Sequence, residues 1–293
     1  MGKLAVIDGG LFTTVQDEGR FGFRKYGVPV SGVMDNSAFE LVNSLVGNAP
    51  DTPVLEMTLK GGRYRFESDS VIAFAGANMN PTVNEKSVEL NSTLKISAGD
   101  ILEFEYARRG CRCYLGIRGV WEIEKILGSY STYNEGNFGG IEGRNLQKGD
   151  QLHWKEIQAD FQSYTLSQKE IPYYSSKLTV EFIPGPEWNW LSKKEQDKFL
   201  STEFKISSES NRMGIRLNSD NSDFQIEAKS KEMVSSGVIP GIIQLPPNGS
   251  PILLMKDGQT VGGYPRIGKV LDIHLNRVAQ VPPNGTIRFK KSD

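Results

Sequence analysis

Gln16, Asp17, Arg20, Ser31 and Asp35 stand among five glycines and a proline in the 26 residues from Gly10 to Asp35. Neither a helical period nor plain strand alternation asks for that mixture, so the segment is a candidate site carried on a loop. Glycine lets the backbone take positive φ or approach a ligand closely, and Pro29 fixes φ ahead of Ser31-Gly32. Asp17 or Asp35 could serve as a general base if burial raised its pKa, and Gln16 offers a donor to a carbonyl oxygen that gains charge. The competing reading is structural: Thr13, Thr14, Gln16 and Asp17 satisfy turns and a helix start.

Two later segments add donors. Ser210-Asn-Arg-Met-Gly-Ile-Arg-Leu217 sets Arg212 and Arg216 four apart, so on a strand they share a face with Gly214 between them, a plausible cradle for a carboxylate or phosphate. A solvated strand face with paired acids is the alternative. Gln259-Thr-Val-Gly-Gly-Tyr-Pro-Arg-Ile-Gly268 joins two expected strands, Pro251–Met255 and Lys269–Leu275. It brings Gln259, Thr260, Gly262, Gly263 and Tyr264 to the end of a barrel, where ligand sites gather. Other chemistries find little support. The chain has no Gly-x4-Gly-Lys-Ser/Thr loop, no strand-linked Gly-x-Gly-x-x-Gly and no Gly-x-Ser-x-Gly elbow. His153 and His274 lack ligands at zinc spacing, so no metal is expected, and Cys111 and Cys113 read as a reduced, buried pair on one strand face.

The elements that must position these residues are mostly short strands bounded by Gly, Asp, Asn or Pro: Leu4–Ile7, Gly62–Glu67, Ser70–Ala75, Leu94–Ser97, Ile101–Tyr106, Cys113–Arg118 and Leu178–Ile183. Such spacing suggests barrels or sandwiches. Asp35–Gly47 reads as a helix with an N-cap, an apolar face and a terminal glycine. A second helix is expected at about Glu187–Thr202 and a short one after Trp121. Trp188-Asn-Trp190 suits either core or a partner surface. The polar stretch near Trp154–Ser176 predicts a connection over 156–176, between domains 1–155 and 177–293. Leu94–Phe104 and Val278–Phe289 both read as strand, tight turn, strand, and Leu146–Leu152 repeats the turn; this is either a faint duplication or ordinary hairpin chemistry.

Composition excludes some partners. With 34 basic and 35 acidic residues and no basic run, neither nucleic acid nor an anionic membrane surface is favoured. No stretch reaches the roughly 20 apolar residues that span a bilayer, and the opening apolar run stops at Asp8, so a cytoplasmic protein is expected. At 293 residues and 38% hydrophobic there is material for two cores.

Thr13-Thr-Val-Gln-Asp-x-Gly-Arg20 and Val28-Pro-x-Ser-Gly-x-Met-Asp35 resemble the amino-terminal signature of the biotin-dependent carboxyltransferase-like family, also called the allophanate hydrolase subunit 2 family. Ala75-Gly-Ala77, Gly139–Asp150, Ser210–Leu217, Ser236–Gly249 and Gln259–Gly268 fit it in the same order, so the resemblance covers nearly the whole chain. It implies two cyclophilin-like β-barrel domains and an enzyme component acting on amide or urea-like substrates. Free-standing members of this length are similar to the C-type component of 5-oxoprolinase, an enzyme that opens 5-oxo-L-proline to L-glutamate with ATP hydrolysis. The resemblance therefore implies A-like and B-like 5-oxoprolinase partner proteins and ATP as a substrate of the complex, with the component that binds it left open. The chain has no Met-Lys-Met motif, so no covalently attached biotin is expected.

On that reading Arg212 or Arg216 takes the substrate carboxylate. Gln16, Gln259 or loop N–H groups face the lactam oxygen, and Arg20, Ser31 and Asn78 complete the substrate contacts. Two departures from the family pattern stand out: Phe21 replaces a proline, and Asn78 replaces an acid, which removes a possible base. Two alternatives stay open. One is a carboxyltransferase-like component of urea or other amide metabolism, and the other a non-catalytic regulator that antagonises an inhibitor of a kinase.

Overall fold

The computed structural model describes residues 1–157, 162–167, 171–219 and 233–292. The fold is mainly β, and the chain forms two compact units, Met1–Arg20 with Ser31–Tyr174 and Phe21–Val30 with Ser175–Asp293. Phe21–Val30 is thus an early excursion into the second unit, which no change of composition announces.

In the first unit a seven-stranded sheet runs in the order Val120–Trp121, Gln151–Lys155, Gly2–Asp8, Arg63–Phe66, Ile101–Glu103, Thr82–Val83, Lys86–Ser87. A five-stranded sheet runs Phe12–Gln16, Val54–Thr58, Arg109–Ile117, Ser70–Asn78, Thr93–Ile96. Period-two alternation decides what goes inside: Leu4, Val6, Tyr64 and Phe66 from the first sheet meet Leu55, Met57, Phe74 and Leu115 from the second in one core. Strand Arg109–Ile117 is buried on both faces because helix α1 (Asn36–Val46) lays Ala38, Phe39 and Val42 against Ala75 and Tyr114. Asp35 caps α1, accepting from the Ala38 N–H at 3.2 Å, and Gly47 ends it at φ 63°, where glycine carries no Cβ penalty. The helix can come this close because residue 116 is glycine; a Cβ there would lie 2.3 Å from Val42 Cγ1. Cys111 and Cys113 are both free and buried on that strand, and burial pushes both thiols up.

The second unit is a closed barrel in the order Lys177–Pro184, Arg266–Val270, Ile242–Gln244, Ile252–Leu254, Gly214–Asn218, Glu203–Ile206, Thr286–Lys291. The parallel pairing of its first and last strands, Leu178 opposite Ile287, shuts it. Phe182, Phe199, Phe204, Phe289 and Trp188 fill the interior, with ring centroids 5.0–6.0 Å apart and mostly edge-on. Trp188 therefore belongs to the core. Its turn is fixed from the side by Glu187, whose carboxylate accepts from Arg266 Nε at 3.0 Å, Nη2 at 2.8 Å and the backbone N–H at 2.9 Å.

Four sequence-based expectations change. The second helix begins late: Trp188–Trp190 is one 3-10 turn, and α2 (Lys193–Ser201) starts only at Ser192, which forms a capping box with Glu195. No α-helix follows directly on Trp121; the chain forms a bridge between Ile126 and Ser129, and before strand Gln151–Lys155 there is only a single 3-10 turn, at Asn134–Gly136. The strand expected over Lys269–Leu275 stops at Val270, and Asp272–Val278 is helix α3. With it goes the strand–turn–strand echo over Val278–Phe289, because a helix and not a strand precedes the turn at Asn284. What repeats is turn chemistry: Asp100 and Asp150 each accept from a backbone N–H three residues back, at Ser97 and Gln147, both at 2.8 Å.

Hydrogen bonds from Arg266 hold the Glu187 carboxyl below its usual range. A depressed carboxylate pKa contributes stability that is present above the unfolded value, about 4.3, and is lost as pH falls through the folded one. Glu187→Gln should cost about 2 kcal/mol in urea unfolding at pH 7, and the gap from wild type should narrow below about pH 4. A gap independent of pH would mean that shape alone, not charge, matters at this position.

Candidate functional site

The opening loop is tied down by one carboxylate. Asp17 is 5% exposed, and its Oδ1 accepts from the Ser129 hydroxyl at 2.6 Å, the Gly19 N–H at 2.9 Å and the Ser131 hydroxyl, while Oδ2 accepts from the Tyr130 N–H at 2.7 Å. Four converging donors are what a structural anchor collects. Next to it Arg20, 1% exposed, donates to the Ser131 carbonyl and lies over the Phe138 ring at 4.8 Å. Gly139 makes room for this: a Cβ would lie 2.0 Å from the Ser131 oxygen and 2.9 Å from Arg20 Nη2. Gln16 is fully buried, and its amide donates to Thr14 Oγ1 at 2.9 Å and to the Thr132 carbonyl at 3.2 Å. The structural reading of Gln16 and Asp17 accounts for every one of these contacts. Ser31 differs: it is buried at φ 55°, and its hydroxyl has no hydrogen-bond partner among the described residues.

Asp35 connects this loop to a pocket. Besides capping α1, it accepts at Oδ2 from the Tyr174 hydroxyl at 3.3 Å, and its backbone N–H donates to the Tyr114 hydroxyl at 2.9 Å. Tyr114 in turn donates to Glu56 Oε2 at 2.8 Å; the Met34 N–H reaches the same oxygen, and Arg112 Nε stands 3.8 Å from Oε1. Burial, and then the nearby carboxylate charges, push both phenols up, so each keeps its proton and donates. Tyr174 also lines a cavity of about 510 Å³ with Gly76, Asn78, Asn91, Arg108 and Arg109. Asn91, which also lines the cavity, is 5% exposed at φ 58°, and its Oδ1 is buried with no partner among the described residues. Gly76, the centre of the Ala75-Gly-Ala77 motif, has φ 98° and would put a Cβ 2.4 Å from the Arg112 carbonyl.

Sequence reasoning named Asn78 and Asp35 but missed Glu56, Asn91, Arg109, Arg112, Tyr114 and Tyr174. For two of these a signal was present. Glu56 interrupts Val54-Leu-Glu-Met and Arg112 interrupts Cys-Arg-Cys, both inside apolar strands where a lone charge must find a partner.

In the second unit the paired-arginine cradle does not form. Arg212 lies ahead of strand Gly214–Asn218, 6% exposed, and turns its fork on Asp257, Nε to Oδ2 at 2.8 Å and Nη2 to Oδ1 at 3.1 Å. A buried guanidinium needs that compensation. Arg216 is exposed on the strand, beside a cavity of about 150 Å³ with Ser207, Glu209 and Asn248. The glycine loop does hold together. Val261–Gly262 pairs with Ser236–Gly237, the Thr260 carbonyl accepts from the Val238 N–H at 3.0 Å, and the Gln259 amide donates to Gln244 Oε1 at 3.0 Å. Gly262 packs directly against Gln244, since a Cβ there would lie 2.5 Å from Gln244 Nε2 and would push the end of that side chain aside. Gly263 has more room, and Tyr264 is 43% exposed. Arg24, unnoticed in the sequence, donates through Nη2 to the carbonyls of Val238 and Gln259.

Comparison with known proteins matches residues 26–291 to the family described as carboxyltransferase domain, subdomain A and B. The chain is similar to the C-type component of 5-oxoprolinase from Escherichia coli K12, at 35% identity over 98% of this chain and 90% of that one. Its similarity to the corresponding 5-oxoprolinase component of Haemophilus influenzae is also 35%, over 94% and 87%. Among solved structures, K. lactis urea amidolyase superposes with a TM-score of 0.90 at 30% identity, covering 99% of this chain and 19% of that one.

An anchoring Asp17 makes a specific demand. Asp17→Asn leaves buried donors facing an amide and should lower unfolding stability by about 2–3 kcal/mol. Urea denaturation read beside activity decides it: a variant of unchanged stability that has lost turnover would mark Asp17 as the base rather than an anchor.

Proposed function

Because this chain belongs to the carboxyltransferase domain, subdomain A and B, family, we propose that it is one component of an ATP-hydrolysing 5-oxoprolinase, opening 5-oxo-L-proline to L-glutamate together with A-like and B-like partner proteins. The observation that carries this reading is the extent of the match, 98% of this chain against 90% of a protein named as the C-type component of 5-oxoprolinase. The assembly is cytoplasmic on this reading, ATP is its substrate, and the chain bears no covalently attached biotin.

The reaction asks for particular contacts. Amide resonance protects the ring C–N bond, so phosphoryl transfer from ATP to the lactam oxygen makes the carbonyl carbon electrophilic. Water adds at that carbon, and the C–N bond breaks with its electron pair and a proton going to nitrogen. Hydrolysis of the resulting acyl phosphate then frees phosphate and the new carboxylate. The substrate thus presents a ring N–H, a carbonyl oxygen and a carboxylate. The cavity of the first unit supports the reading because its lining carries a residue type for each: Asn91, whose Oδ1 has no partner among the described residues, for the N–H, the Asn78 amide for the carbonyl, and Arg109 for the carboxylate. The phenol of Tyr174, held on Asp35, closes the same cavity.

A second reading rests on the urea amidolyase superposition at TM-score 0.90: a carboxyltransferase component that acts on a urea-like amide and receives its carboxyl group from a separate biotin carrier. Reconstitution separates the two. The purified chain with A-like and B-like partners should release glutamate from 5-oxoproline in step with ATP hydrolysis, and the chain alone should not. Turnover of urea with a biotinylated carrier, and none with 5-oxoproline, would establish the second reading instead. Asn78 and Arg109 are exposed, so Asn78→Ala and Arg109→Met should change stability by less than about 0.5 kcal/mol. Each should nevertheless raise KM for 5-oxoproline about tenfold or more, which is about 1.4 kcal/mol of lost binding. Unchanged KM in both variants would move the substrate out of this cavity.

A further inference from the structure

Among the described residues, nothing in its unit balances the charge of Arg24. Arg20, Arg212 and Arg266 also stand in glycine-containing motifs, yet Arg212 and Arg266 each meet a carboxylate and Arg20 lies on an aromatic ring. Arg24 meets no described carboxylate: Nη2 is spent on the carbonyls of Val238 and Gln259, and Nη1 is buried with no hydrogen-bond partner among the described residues. Burial without a counter-charge lowers its pKa, which for a guanidinium is a measure of electrostatic strain.

Two further unsatisfied groups lie along the same short ribbon. Gln244 is 1% exposed, its Oε1 is taken by the Gln259 amide, and its Nε2 is buried against Gly262 without a partner among the described residues. Ser236, paired across the ribbon with Gly262, likewise has a buried hydroxyl with no described partner. Hydrogen bonds join the first two through Gln259: Arg24 Nη2 to its carbonyl at 3.3 Å, and its Nε2 to Gln244 Oε1 at 3.0 Å. One guanidinium N–H, one amide N–H and one hydroxyl are all donors, or can be, and a buried donor left unmade is costly. Native structures leave few such groups, and here three belong to residues that lie on or against one short ribbon, Ser236–Gly237 with Val261–Gly262.

We propose that Arg24, Gln244 and Ser236 form an oxyanion-binding site in the second unit, taking the oxygens of a carboxylate or a phosphoryl group. An anion there would accept from Nη1, Nε2 and Oγ together and supply the missing negative charge. Gly262 keeps the approach to Gln244 Nε2 free of a side chain. The inference goes beyond the 5-oxoprolinase reading and does not depend on it, because it stands on unpaired donors in the chain by itself.

The test is titration calorimetry and thermal melting of the full chain, without partner proteins, at constant ionic strength. Inorganic phosphate, 5-oxo-L-proline and L-glutamate are the probes, with chloride and the carboxylate-free lactam 2-pyrrolidinone as controls. At least one oxyanion should bind and raise the melting temperature, and neither control should. Arg24→Met removes the charge. Gln244→Glu leaves Arg24 and its two carbonyl contacts in place but sets a like charge against the anion; each should weaken binding at least tenfold. The Gln244→Glu variant keeps the test alive if Arg24→Met unfolds the ribbon. Binding of phosphate alone identifies a phosphoryl site, and binding of 5-oxoproline or glutamate alone a carboxylate site. Absence of any oxyanion effect in the wild type, or equal affinity in both variants, overturns the proposal whatever the reconstituted complex does.

Discussion

A single buried carboxylate organises the loop from which the rest of the first unit's chemistry is arranged. Asp17 draws in two hydroxyls and two backbone N–H groups, and in doing so ties residues 17–20 to residues 129–131, more than a hundred positions away in sequence. The tie sets where Arg20 lies, and the Ser131 carbonyl that receives Arg20 demands glycine at 139. A conformation with this many polar groups cannot survive burial unless nearly every donor finds its acceptor, because each lapse costs about as much as a whole hydrogen bond is worth. That constraint accounts for much of the odd composition of Gly10–Asp35. The glycines supply the backbone freedom, and the polar side chains satisfy one another.

Glu56 repeats the device beneath α1. It sits on a strand between Leu55 and Met57, which face the core, so its own side chain faces the helix, where Tyr114, the Met34 N–H and Arg112 receive it. Through Tyr114 the charge of Glu56 is linked to Asp35, and through Asp35 to Tyr174 at the cavity. The cavity is therefore backed by two phenols that burial and the neighbouring carboxylates keep protonated at neutral pH. Fixed protons give fixed hydrogen-bond directions, and a pocket with fixed directions can tell a donor from an acceptor on its ligand.

Much of the fold is legible in the sequence because it is written in short-range rules. Strand alternation at Leu4-Val6 and Tyr64-Phe66, the Asp35 cap and the Gly47 stop of α1 each depend on a few neighbouring residues, and the structure bears each of them out. Errors arise where two rules share a segment. Val270-Leu-Asp-Ile-His-Leu alternates like a strand, but Asp272 opens a helix after one strand has already ended, and alternation over four residues cannot place that break. Glu187–Thr202 reads as one helix because Trp188, Leu191, Phe199 and Leu200 are spread among polar residues across it, and the Ser192 capping box that starts α2 follows directly on the tryptophan turn. For the site the limit is different. Residue types reveal which groups can bind an anion, but not which are already occupied: type alone selects Arg212, while Asp257, 45 positions away, has claimed it.

Occupancy is thus the property that only the three-dimensional structure supplies, and it sorts the arginines by physical state. Arg118 is buried too and spends donors on carbonyls, those of Val46 and Gly47, but these belong to the C-terminal end of α1, where the helix dipole adds partial negative charge. Arg24 has carbonyls from the ribbon and no such field behind them. Arg112 and Arg212 lie against carboxylates that cancel their charge. A guanidinium balanced by a carboxylate or a helix terminus belongs to the architecture, since removing it would leave an opposite charge stranded. A guanidinium that is half-buried and unbalanced destabilises the empty protein slightly and offsets that cost only when an anion arrives. Selection for folding alone would replace such a residue with a neutral one of similar shape, and so its presence argues for a ligand.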